Sequence, residues 1–95
     1  MKEKSLLDKL ERVERAINIY RNKEDPELIE EINIDIPLEK LKSVVTPKDD
    51  DPLLYRGYIL DARQLAELNN ELGGILNPNF SLYYYVLECN GIYNW

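Results

Sequence analysis

The 95-residue sequence contains no histidine, one cysteine, one tryptophan and four glycines. These shortages exclude most of the usual catalytic equipment. Without histidine, neither a Ser-His-Asp nor a Cys-His arrangement can form, and a zinc site would lack both imidazole and sufficient thiolates. Gly73-Gly74 belongs to neither a GxGxxG nor a GxxxxGK pattern, so it reads as a helix end and not as a phosphate cradle. Cys89 has no second cysteine to pair with; its setting in Tyr85-Val86-Leu87-Glu88-Cys89 reads as a strand position for a buried thiol, with the cytoplasm as the expected compartment. No stretch approaches the roughly 18 to 20 apolar residues that span a bilayer, and Met1-Lys2-Glu3-Lys4 leads into an amphipathic run, so neither membrane insertion nor a secretory signal is expected. The expectation is a protein that is not an enzyme and has no metal or cofactor.

What remains is acidic and apolar enough to fold: 44% hydrophobic, 32% charged, net charge −6. The length suits one domain, residues 1–95. The charge is divided. Residues 1–23 carry seven Lys or Arg against four Asp or Glu, whereas residues 24–95 carry five against fourteen. Seven carboxylates and no basic residue lie between Glu24 and Glu39, and Asp49-Asp50-Asp51 forms a second cluster. Nucleic acid would be repelled there, because its binding depends on Lys and Arg displacing counterions, whereas a basic protein would be attracted.

Ser5 and Asp8 form a Ser-x-x-acid capping pattern, and Leu10, Val13 and Ile17 continue a helical stripe. From about Arg12 the run Ile17-Asn18-Ile19-Tyr20 favours a strand. A polar break at residues 21–26 then leads to Ile32, Ile34 and Ile36 alternating with Glu31, Asn33 and Asp35, which predicts a β-hairpin over Ala16 to Ile36. Glu30 breaks the alternation, a conflict that a bulge, an edge position or a frayed start would each remove. Pro37 opens a short helix carrying Leu38, Leu41, Val44 and Val45, and Pro47 stops it. Residues 47–52 have the composition of a solvated loop. Asp61 caps a helix with Leu65, Leu68 and Leu72 on one face, ended by Gly73-Gly74. Phe80 to Cys89 is the central strand, followed by a short final strand near Ile92-Tyr93. The fold class is α+β, a small antiparallel or mixed sheet of three to four strands packed against two to three helices.

Paired carboxylates are the one catalytic possibility, but Glu30-Glu31 and the Asp49–Asp51 run sit in solvated contexts. The aspartate run also lacks the alternate spacing and distal glutamate of a calcium loop. The tyrosines are the more informative constellation: Tyr55 and Tyr58 follow the acidic loop, and Tyr83-Tyr84-Tyr85 occupy consecutive strand positions. Alternation turns Tyr83 and Tyr85 toward the helices and Tyr84 the other way. If no helix covers that side, Tyr84 is offered to a partner, as Tyr and Trp often are at protein interfaces. Trp95 is either a core plug or a second such anchor.

The hairpin Ala16 to Ile36, the block Asp51-Pro52-Leu53-Leu54-Tyr55-Arg56-Gly57-Tyr58, the Gln64-bearing helix and the closing Tyr85-Val86-Leu87-Glu88-Cys89 resemble small immunity proteins of bacterial contact-dependent growth-inhibition and other polymorphic-toxin systems. The likeness spans most of the chain, is general, and carries over no catalytic signature. It implies a cytoplasmic inhibitor that binds a cognate toxin domain, often a nuclease. Charge supports the same expectation, since an acidic face can occupy the basic groove of a nuclease. The expected contact residues are Glu24, Asp25, Glu27, Glu31, Asp35, Asp49, Asp50 and Asp51, with Tyr55, Tyr58, Tyr84 and Trp95 as ring anchors. A regulatory or structural domain with a different protein partner is the alternative, and the oligomeric state is left open.

Overall fold

Alternating β-branched residues make one face of a strand, and in the computed structural model, which describes residues 10–93, the first strand, β1, runs from Leu10 to Arg21. The chain is therefore already strand at Leu10, ahead of the switch from helix expected near Arg12, and the rest of the expected N-terminal helix, with its capping residues Ser5 and Asp8, lies outside the described residues. The correction has a tertiary cause: a strand at the other end of the chain pairs with β1 back to Leu10, and that ladder outweighs the helical spacing of Leu10, Val13 and Ile17.

That partner is β4, Tyr83–Tyr93. It absorbs Ile92 and Tyr93, so no separate final strand exists among the described residues. The hairpin partner of β1 is β2, Leu28–Ile34, and a two-residue strand β3, Tyr58–Ile59, pairs with Leu87 and Val86. The sheet order is β2-β1-β4-β3, with every pairing antiparallel. Ile17 faces Ile32 on one side and Leu87 on the other, while Ile19 faces Glu30 and Tyr85. The register then shifts: Tyr20 pairs with Leu28, leaving Ile29 as an extra residue. The bulge lies beyond Glu30, which keeps the face of Ile32; its carboxylate is accommodated there because β2 is an edge strand and Glu30 is exposed.

Helix α1, Leu38–Val44, and helix α2, Ala62–Glu71, cover one face of the sheet. Leu41 and Val44 of α1 and Leu65 and Leu68 of α2 join Ile17, Tyr58, Tyr85 and Leu87 of the strands in a single buried cluster. Pro37 sits at the N-cap of α1 and not inside its first turn. The start of α2 is a full capping box: the Gln64 N–H donates to Asp61 Oδ1 at 2.8 Å, and the Asp61 N–H donates to Gln64 Oε1 at 2.9 Å. Gly73 and Gly74 adopt φ of 81° and 76°, a conformation that ends helices without Cβ strain. Beyond them Asn69 holds the returning chain through both ends of its amide, accepting from the Leu76 N–H at 2.9 Å and donating to its carbonyl at 3.1 Å. No helix among the described residues is long and apolar enough to cross a membrane.

Candidate functional site

Period-two geometry sends the even-numbered residues of β1 to the side away from the helices. Register then adds their cross-strand neighbours. Ala16 lies opposite Asn33 and Glu88, Asn18 opposite Glu31 and Val86, Tyr20 opposite Leu28 and Tyr84, and Val86 also opposite Ile59. None of these residues belongs to the core cluster that the helices cover. The rings of Tyr20 and Tyr84 stack with centroids 5.2 Å apart and planes 17° from parallel. Leu28 and Ile59 flank the face at 50% and 73% exposure. Asn18 is 7% exposed; its Nδ2 donates to Tyr20 Oη at 3.4 Å, while Oδ1 is buried without a hydrogen-bond partner. Glu14, Glu31 and Glu88 are the charged strand residues of this face within residues 13–91, with no lysine or arginine among them. Gly57 lets the β3 segment approach Glu88: a Cβ there would come within 3.1 Å of the carboxylate.

The expected contact residues divide sharply by location. Glu24, Asp25 and Glu27 lie exposed in the β1–β2 turn, where Glu27 pairs with Lys23 at 3.6 Å. Glu31 is exposed on β2 and Asp35 just after it. Asp35 also lines a cavity of about 370 Å³ with Val13, Arg15 and Ile36. Asp49 and Asp50 are exposed, and Asp50 pairs with Arg56 at 3.0 Å. Tyr55 is exposed beside them.

Asp51 and Tyr58 are corrections. Asp51 is 5% exposed and organises the loop into β3. It accepts hydrogen bonds from the Tyr55 N–H at 2.8 Å, the Arg56 N–H at 2.9 Å and Tyr58 Oη at 2.7 Å. Tyr58 Oη in turn accepts from the Lys48 N–H at 3.1 Å. Burial pushes the Asp51 carboxyl up, but the Tyr58 hydroxyl, the two N–H donors and the Arg56 charge outweigh it and hold the group below its ordinary value. Burial, with the Asp51 carboxylate adding to it, raises the Tyr58 hydroxyl against the opposing Lys48 hydrogen bond. Both side chains are committed internally, so the loop over residues 47–52, exposed at Lys48, Asp49, Asp50 and Pro52, is pinned to the fold at Asp51. Leu54, just beyond it, is fully buried at φ 56°, a left-handed conformation that a leucine adopts only under tertiary constraint.

Tyr84 faces away from the helices as expected, while Tyr85 is buried and Tyr83 packs against the core. Trp95 lies outside the described residues. Cys89 is half-buried; burial raises its thiol, partly offset by the Arg15 charge, which leaves little thiolate at neutral pH. Tyr20, Asn18, Ile59 and Glu88 were missed by the sequence reading as site residues. Tyr20 carried a usable signal, because it shares parity with Asn18 on a strand whose odd positions Val13, Ile17 and Ile19 are apolar.

Residues 14–88 match the family described as a domain of unknown function, DUF7683. The chain belongs to the DUF7683 family. The match begins on β1 at Glu14 and ends on β4 at Glu88, so it takes in the helices, β2, β3 and the part of the sheet that they flank. The paired ends of β1 and β4 extend past it. No curated protein and no solved structure matches this DUF7683 chain.

Proposed function

We propose that the protein is a cytoplasmic immunity protein that neutralises a cognate bacterial toxin domain, a basic nuclease, by binding it through the sheet face turned away from α1 and α2 and the adjoining acidic turn. The observation that carries this reading is the stacked Tyr20–Tyr84 pair on a sheet face whose charged strand residues within residues 13–91 are glutamates. Rigid rings supply apolar area at little entropic cost, and the surrounding carboxylates favour a cationic partner. The likeness to immunity proteins and the net charge of −6 support the same partner class.

Co-expression with a toxin domain encoded beside the gene tests the reading. The wild-type protein should rescue growth and co-purify with the toxin. Tyr20→Ala with Tyr84→Ala should weaken binding by about 2 kcal/mol or more, the scale of an interface hot spot. A neighbouring gene without a toxin domain, or a captured partner as acidic as this chain, would instead point to a regulatory domain with a different protein.

A further inference from the structure

β2 is an edge of the sheet: it pairs with β1 on one side and with no described strand on the other. Its unpaired N–H and C=O groups form a template for another strand. Beside this edge, on the helix-bearing face, lies a groove of about 380 Å³ lined by Ile19, Ile29, Ile32, Ile75 and Tyr83, with Glu30 at its rim. Ile75, on the loop beyond α2, is 60% exposed. The other face of the same strand carries Glu31. Backbone groups, an apolar groove and two carboxylates thus meet along one seven-residue segment.

We propose that the outer edge of β2 receives an extended strand from the partner protein, with apolar side chains in the Ile29–Ile75 groove and lysines or arginines beside Glu30 and Glu31. Strand addition of this kind takes its affinity from main-chain hydrogen bonds and its selectivity from alternate side chains. The occupant follows from charge. A second copy pairing antiparallel about Glu31 would place Glu31 against Glu31, and a shift by one residue would bring Glu30 against Glu31. Like charges directly opposite destabilise a strand pair, so the edge disfavours itself and favours a cationic strand. The proposal rests on reading the chain as a protein binder and specifies how part of that partner is held.

The probe is a synthetic peptide of alternating lysine and valine, added to the isotope-labelled protein. Amide signals of Leu28–Ile34 should shift and their hydrogen exchange slow, while a peptide N-methylated at alternate amides should leave them unchanged. Glu30→Lys with Glu31→Lys should weaken binding about tenfold or more, as should Ile75→Asp, whose exposed position leaves the core untouched. Binding of the N-methylated peptide equal to that of the parent would overturn the proposal. So would shifts confined to Tyr20, Tyr84 and Ile59, or a dimer paired through β2 in sedimentation and exchange measurements. If a toxin domain binds tightly while Leu28–Ile34 exchanges as in the free protein, strand addition fails and the neutralising function stands. Edge binding of the peptide with no toxin captured supports strand addition and rejects that function.

Discussion

A single buried carboxylate decides the course of the chain between α1 and β3. Three donors converge on Asp51, and removing the charge leaves Tyr58 Oη and two N–H groups facing a weaker acceptor. Because the folded-state acidity of Asp51 is shifted below its ordinary value of 3.8, its contribution is fully present above that pH. It is lost as pH falls through the lower folded-state value. Asp51→Asn should therefore lower the thermal midpoint at neutral pH, and the gap to wild type should narrow once the pH drops below about 4. Exposed Asp49→Asn serves as the control and should change little. Melting curves at the two pH values check this, and an unchanged gap would mean that the carboxylate charge is not what holds the turn.

At the level of elements, α2 is held by local chemistry and by packing, and the two contributions separate by mutation. Asp61→Ala removes one half of the capping box and should cost about 1 kcal/mol. Leu68→Ala opens a void beneath the helix and should cost about 2 to 5 kcal/mol. Denaturant unfolding distinguishes them; equal losses would mean that the cap does more than terminate the helix. The same contrast explains what could be read in advance. The Asp61 cap, the Leu65-Leu68-Leu72 stripe and the Gly73-Gly74 stop are signals within a few residues, so α2 was legible. The edge position of β2 was legible as a conflict at Glu30, although the bulge at Ile29 was not. The reach of β1 and β4 depends on partners more than sixty residues away in sequence, which no local pattern specifies. Asp51 was misread for a related reason: a run of three aspartates looks solvated, and its burial depends on Tyr58 and two backbone donors that only folding brings together. Tyr84 was placed correctly because strand alternation alone decides it.

Across the whole molecule, acidic groups gather at two separate places. Glu27, Glu31 and Asp35 belong to β2 and its ends, whereas Asp49 and Asp50 precede β3 at the opposite edge of the sheet. The strands they flank are three sheet intervals apart, about 14 Å at the usual spacing. That exceeds the Debye length of about 10 Å at 0.1 M salt, so at moderate ionic strength the two groups act on an approaching cation almost independently. Steering by the β2 group should dominate if the tyrosine face and the β2 edge form the contact. Reversing Glu27, Glu31 and Asp35 to lysine should slow association with the toxin domain about tenfold or more at low salt, with the difference shrinking as salt rises. Reversing Asp49 and Asp50 alone, with Asp51 kept to preserve the turn, should leave the rate within about twofold. Stopped-flow association measured against ionic strength checks both variants. A larger loss from the Asp49 and Asp50 pair would move the contact to the β3 edge, where exposed Tyr55 would replace Tyr84 as the ring nearest the charge.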